Sequence, residues 1–345
     1  LSGRAWNYLK GVFELDFAGE NGQDTPQFRE VYMSIDGIPY GGGRDFELCA
    51  GHYREPFSME ELTSVVYRPF NERSLANVFA PSYNAGLMIR DALLGEPKSE
   101  RLTWAIGAFK EVDNWPSGND SDEDQGYQVT ARVTGLPIYA EDGRKLLHLG
   151  AAYSLRNPDG AVVNYGARPD SRLALFRYVS VDNLPAGFRL RDARAEDVNL
   201  LDLELAGVYG PFWMGTEYIH SSVDTTFGGS LDFDGYYVQG GYFLTGENRP
   251  YRNDNATWAR VAPKHNFGWK STDGWGAWEL AARYSSVDLN DGIVRGGVQS
   301  SLTFGVNWYL NPNARITCNY SINDVDHDLY DGDLDIFQTR FQFEF

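Results

Sequence analysis

The sequence is poor in the features that most often announce a function. Its 345 residues hold two cysteines, Cys49 and Cys318, too few for a disulfide framework. Acidic residues outnumber basic ones 48 to 30, giving a formal net charge of −18. That balance argues against sequence-independent nucleic-acid binding, which needs clustered Lys and Arg to displace counterions. No apolar run reaches about 18 residues, which excludes a transmembrane helix. A membrane is not excluded, because barrel strands alternate faces and leave no such run. No repeat with a period of about 20–50 residues is visible, against a propeller or solenoid. The five histidines, His52, His148, His220, His265 and His327, are scattered, and no local motif joins one to a nucleophile and a carboxylate. We therefore expect no enzyme and no cofactor. Leu1 is not a start methionine and no charged-then-apolar leader follows it, so a mature, processed or truncated chain is expected.

What is present is period-two alternation. In 301–310, Leu302, Phe304, Val306, Trp308 and Leu310 oppose Thr303, Gly305, Asn307 and Tyr309. In 314–323, Ile316, Cys318, Tyr320 and Ile322 oppose Arg315, Thr317, Asn319 and Ser321. The stretch 335–345 sets Phe337, Thr339, Phe341, Phe343 and Phe345 against Gln338, Arg340, Gln342 and Glu344. Such alternation means strands with one apolar and one polar face. About 14 segments of this kind are centred near residues 11, 32, 48, 88, 105, 131, 150, 204, 216, 239, 280, 304, 318 and 340.

The linkers alternate in length. Gly210–Pro211 and Asn311–Asn313 are tight, 95–98 and 136–143 short. Long linkers are expected at 111–125, 157–198, 222–232, 287–297 and 324–334, with 246–273 a long outlier on the short side. Short turns on one side and long loops on the other mark an up-and-down barrel of an outer membrane.

A soluble β-sandwich also alternates. Its polar face would lie outward, however, and these polar faces carry charge of both signs: Lys10, Glu14, Glu47, Arg132, Arg156, Asp202, Glu204, Glu279, Arg283, Arg315 and Arg340. A ring of 14 or so strands is too wide for side chains to fill, so it must invert, apolar side to lipid and charge to water inside. Aromatic residues at strand ends, among them Trp6, Tyr8, Tyr153, Tyr218, Tyr236, Tyr242, Trp275, Trp308 and Tyr309, suit girdles at bilayer interfaces. Unpaired backbone groups cost several kcal/mol in lipid, so the strands should close on themselves. Cys318 falls on the lipid parity and Cys49 on the lumen parity, against a bridge between them.

Several segments carry a closer resemblance. They are Trp6-Asn7-Tyr8; Tyr53-Arg54-Glu55-Pro56-Phe57-Ser58-Met59-Glu60-Glu61-Leu62-Thr63-Ser64; Asn71-Glu72-Arg73-Ser74-Leu75; Gly166-Ala167-Arg168-Pro169-Asp170; Gly207-Val208-Tyr209-Gly210-Pro211-Phe212; Tyr242-Phe243-Leu244-Thr245-Gly246-Glu247-Asn248-Arg249; Gly276-Ala277-Trp278-Glu279-Leu280; and Gly305-Val306-Asn307-Trp308-Tyr309, with a terminal strand ending in Phe345. In order and approximate spacing, over nearly the whole chain, the set resembles the phosphate-selective porin O/P family. The resemblance implies one transmembrane barrel domain over 1–345, an outer-membrane location in a Gram-negative-type bacterium, lipid as surroundings and a homotrimer. It implies 16 strands, two of them upstream of Trp6; a genuine 14-strand barrel is the alternative.

The resemblance also implies passive diffusion of small hydrophilic solutes and ions, with anions or phosphate favoured, and three segments folded into the pore: 54–82, 157–198 and 246–273. The expected constriction residues are Arg54, Glu60, Glu61, Arg68 and Arg73 in the first. In the second they are Arg168, Arg172, Arg177, Arg189, Arg191 and Arg194. In the third they are Arg249, Arg252, Arg260, Lys264 and Lys270. Arginine is permanently charged and its planar fork matches phosphate oxygens. Segment 157–198 also carries six acids, Asp159, Asp170, Asp182, Asp192, Glu196 and Asp197, so loop salt bridges are a competing role for its arginines. Weak selectivity and cation preference stay open, as does a plugged anchoring barrel with little conductance. The Asp-rich stretch 324–335 lacks the Gly and Glu of an EF-hand loop and reads as solvated acid, with no metal expected.

Overall fold

The computed structural model describes residues 2–6, 8–17, 27–41, 44–95, 99–110, 126–158, 163–171, 174, 176–182, 189–190, 194–226, 228–270 and 274–344. Arg172, Arg191, Phe345 and the acidic stretch 111–125 lie outside them.

Strands dominate. In chain order they are β1 (Ser2–Ala5), β2 (Leu9–Asp16), β3 (Gln27–Gly41), β4 (Arg44–Arg54), β5 (Tyr83–Leu93), β6 (Leu102–Lys110), β7 (Tyr127–Ala140) and β8 (Lys145–Arg156). Two short strands follow, β9 (Gly166–Ala167) and β10 (Val179–Ser180), then β11 (Ala195–Tyr209), β12 (Phe212–Thr225) and β13 (Ser230–Phe243). The last are β14 (Tyr251–Arg252), β15 (Thr257–Trp258), β16 (Ala277–Asp291), β17 (Val294–Asn311), β18 (Ala314–His327) and β19 (Tyr330–Phe343). Fifteen of them form one sheet in sequence order, with β9–β10 and β14–β15 as separate two-stranded ribbons. All fourteen segments read from alternation are strands of this sheet, and β1 adds a short fifteenth. Each neighbour pair is antiparallel, the topology of an up-and-down meander. Among the described residues no helix is long and apolar enough to cross a membrane. Among the described residues no ladder joins the edge strands β1 and β19, so the closing pair expected from backbone energetics is not present.

The sheet is inside out. On β17, Leu302, Phe304 and Val306 are 37%, 48% and 39% exposed, while Thr303 and Asn307 beside them are 2% and 0%. On β16 the same parity buries Glu279 and Arg283 and exposes Leu280 and Tyr284. A water-soluble sandwich would reverse this, so the outward face is built for lipid. Trp6, Tyr8, Tyr153, Tyr218, Tyr236, Tyr242 and Trp275 are exposed, and Trp308 stacks on Trp278 with ring centroids 4.9 Å apart. Tyr309 departs from the girdle reading. Its parity turns it inward, where it is buried and its hydroxyl donates to Glu279 Oε2 at 2.8 Å. Cys49 is buried, Cys318 half-exposed, and both are free thiols.

Two further expectations fail. The linkers 222–232, 287–297 and 324–334 are mostly strand. β12 and β13 are joined through 226–229, β16 and β17 through 292–293, and β18 and β19 through 328–329. Polarity misled here, because backbone pairing does not depend on hydrophobicity: Asp324 faces Asp333 and Asp326 faces Asp331 across the ladder, all exposed. The inner face is also less polar than alternation implied. Trp213, Ile219, Val223, Phe233, Phe243, Val287 and Leu289 all point inward and are buried.

Those residues are covered by the chain itself. Phe57, Leu75, Ala76 and Phe79 of segment 54–82 and Tyr165, Val179 and Val181 of segment 157–198 share a cluster with Ile219, Val223, Phe233 and Leu289. Met59 and Phe70 join Trp258 and Val261 of segment 246–273 against Trp213 and Phe243 in a second. Apolar wall residues thus mark where inward segments dock, which follows from burial of apolar area.

Candidate functional site: a lumen crossed by segment 54–82

Segment 54–82 starts at the end of β4. Ser58 takes φ 61° and its hydroxyl caps the short helix α1 (Met59–Leu62), accepting from the Glu61 amide at 3.1 Å. The segment then crosses the sheet's inner face, and polar wall side chains hold its main chain. Glu217 accepts from the Glu60 amide at 2.7 Å. Gln342 donates to Val66 O at 3.0 Å, Arg315 to Arg68 O at 2.7 Å and Asn307 to Pro69 O at 2.9 Å. Asn319 accepts from the Asn71 amide at 2.8 Å, and Arg283 donates to Glu72 O at 2.9 Å. Buried backbone groups off the ladder need such partners. The wall's inward polar residues supply them.

Two cavities flank this crossing. One, of about 430 Å³, is lined by β1–β7 together with residues of segments 54–82 and 246–273. It presents Lys10, Arg29, Arg54, Arg90, Arg132 and Arg252 against Glu14, Glu30, Asp91 and Asp254. The other, of about 280 Å³, lies between segment 54–82 and segment 157–198, with Arg68, Arg73, Arg168 and Arg177 against Glu72 and Asp170. The inner faces of β11–β18 are largely buried under the docked segments, so open space is lopsided toward β1–β7.

The candidate residues therefore fall into different environments. Arg54 donates to Tyr83 Oη at 2.6 Å and stacks over that ring at 4.9 Å. Glu60 is buried, accepting from the Ser74 amide and hydroxyl and from Arg283 at 3.4 Å. Glu61 is buried, paired with Arg73 at 3.0 Å and bonded to Asn77 and Ser82. Neither acid reaches open space. Arg68 is 7% exposed, lines the second cavity and makes no ion pair among the described residues; its Nε lacks any hydrogen-bond partner. Burial, with Arg73 beside it, pushes the Arg68 guanidinium well below the ordinary arginine range. Arginine does not release its proton in proteins, so such a site favours a nearby anion instead.

Arg168 and Arg177 line the same cavity, Arg177 donating to Asn164 at 2.8 Å. Burial, and then Arg168, lowers Arg177 as well. Arg189 is half-buried and Arg194 exposed, and neither lines either cavity. In segment 246–273, Arg249 is completely buried. It pairs with Glu279 at 3.2 Å, donates to Tyr67 O and stacks over Trp213 at 4.9 Å. Arg252 lines the larger cavity but pairs with Asp254 at 2.7 Å. Arg260 pairs with Glu344, Lys264 donates to Gly246 O at 2.6 Å, and Lys270 is exposed.

Sequence reading missed Arg29 and Arg90 as cavity residues. Arg90 pairs with Glu47 at 2.6 Å and Arg29 with Asp16 at 2.5 Å. The available signal was parity: Arg90 shares its face with Met88, and both line the larger cavity.

A family model for phosphate-selective porin O and P matches residues 1–345. Porin O of Pseudomonas aeruginosa is 25% identical over 377 residues, spanning 100% of this chain and 80% of that protein. Among solved structures, OmpT, an outer membrane protein of Vibrio cholerae, aligns with a TM-score of 0.53 at 10% identity, over 99% of this chain and 86% of that one. OprB of Pseudomonas putida aligns with a TM-score of 0.50 at 10% identity, over 97% and 76%. These two likenesses concern the fold.

Proposed function

The chain belongs to the phosphate-selective porin O and P family and is a porin of a Gram-negative outer membrane, and from that premise we propose that its channel carries small hydrophilic solutes by passive diffusion with a bias toward small anions. The chain does no covalent chemistry in this reading, and its 345 residues act as one barrel domain in a homotrimer. The single observation that carries the anionic bias is Arg68, a buried cation without an ion pair among the described residues that lines a cavity holding three further arginines. A fixed charge at a narrow point acts over roughly 8 Å in physiological salt, so distant acidic residues weigh little there.

The experiment is the zero-current potential of the protein in a planar bilayer under a potassium chloride gradient. Chloride should permeate better than potassium. The opposite sign removes the proposal. A second reading, a plugged barrel, draws support from the filled space along β11–β18. It requires that reconstituted protein give no stable open channel.

A further inference from the structure

The inner face of β11 and β12 carries a group of acids that the channel reading does not use. Glu204 on β11 stands directly opposite Glu217 on β12 in the ladder, and Asp202 lies one inward position along. One carboxylate oxygen from each of the three lies within 4.8 Å of the others, and all three residues are buried. Like charges placed directly across a ladder repel, so this arrangement needs a compensating partner.

The partners present do not balance it. Arg132 takes both oxygens of Glu204 at 2.7 Å, and His148 Nε2 lies 2.9 Å from Glu204 Oε2. Glu217 Oε1 accepts from the Glu60 amide at 2.7 Å and the Tyr237 hydroxyl at 2.6 Å. Among the described residues, that leaves Glu217 Oε2 and both oxygens of Asp202 buried with no hydrogen bond, and Asp202 is 0% exposed. Were all three ionised, Arg132 would leave two negative charges unmatched before His148 is counted, and three carboxylate oxygens make no hydrogen bond among the described residues. Buried polar atoms without partners are rare in native proteins and call for an explanation, an unseen ion or water among them.

We infer that Asp202, Glu204 and Glu217 hold one divalent cation of the hard, oxygen-seeking class, calcium in particular, inside the channel wall. The donor set is all carboxylate, with no thiolate, which selects calcium or magnesium over zinc or copper. Calcium tolerates an irregular shell of about six to eight oxygens completed by water, whereas magnesium demands a near-ideal octahedron. Glu217 also grips the Glu60 amide, so the ion would tie the wall to the segment that crosses the lumen. The inference does not depend on the anion bias proposed above.

Terbium serves as the luminescent stand-in for calcium, with the hydroxyl of Tyr237 bonded to a ligand carboxylate as the nearby sensitiser. In the full chain folded in detergent, tyrosine excitation should give saturable terbium emission that calcium displaces. Asp202→Asn and Glu217→Gln, each checked for folding by circular dichroism, should weaken terbium affinity about tenfold or more. Asp324→Asn with Asp326→Asn, on the exposed part of β18, should leave it unchanged. The inference is overturned if the wild type shows no calcium-displaceable emission. It is equally overturned if the buried variants bind as tightly as wild type, or if the exposed double variant abolishes binding. Should both buried variants fail to fold, the wild-type and exposed-variant titrations still decide. A gain in stability of Asp202→Asn without any metal response would mean that protons, not an ion, bridge the carboxylates.

Discussion

Arg315 of β18 donates through Nη1 to the main-chain carbonyl of Arg68 at 2.7 Å. A wall arginine thus fixes the backbone of a second arginine whose own side chain has no ion pair among the described residues. The hydrogen bond sets where Arg68 sits, and its burial sets what it attracts.

Arg68→Ala should move the zero-current potential in a salt gradient toward zero, because it deletes a cation that has no ion pair among the described residues and lines the second cavity. Arg249→Ala should not, since Arg249 faces Glu279 and Trp213 rather than open space. Equal shifts from the two substitutions would mean that position in the lumen does not matter.

Arg249→Ala should instead cost stability. Removing one partner of a fully buried pair leaves Glu279 uncompensated, at a cost of about 3–5 kcal/mol. Arg252→Ala breaks an exposed pair with Asp254 and should cost less than about 1 kcal/mol. Urea unfolding followed by circular dichroism separates the two.

Phe304→Arg places a charge on the outward face near the middle of β17, where Phe304 is 48% exposed. Folding into lipid vesicles should weaken by about 2–4 kcal/mol, the depth-dependent cost of a cation on a barrel's lipid face. In a detergent-free aqueous assembly with a polar exterior the same change would be harmless, so a neutral result would argue against the inverted sheet.

The two thiols test the same assignment without mutation. Cys318 is half-exposed on the outward face beside Thr339, and Cys49 is buried with Tyr53, Met88 and Phe109. In vesicles, an apolar maleimide should label Cys318 first, and a charged one should label neither until the protein unfolds. Rapid labelling of Cys49 by the charged reagent would contradict the packing around it.

Much of the fold was legible in the residues. The alternation of Leu302, Phe304 and Val306 with Thr303, Gly305 and Asn307 is a local property. It survives in the structure because a strand's side chains must point to opposite faces. The same rule placed Cys49 and Cys318 on opposite faces. It failed where outward residues are acidic, as in 324–334, since composition there says loop while the backbone pairs as strand.

The site was far less legible. The chain alone determined which residues could face the lumen. Only the tertiary structure decided that Arg249 is spent on Glu279, that Arg252 answers Asp254, and that Arg68 makes no ion pair among the described residues. The reason is range. Strand parity is set between neighbours, but the bonds that hold segment 54–82 join residues far apart, 247 positions for Arg315 to Arg68 and 276 for Gln342 to Val66. Which cation is neutralised depends on those long closures, and no pattern along the sequence encodes them.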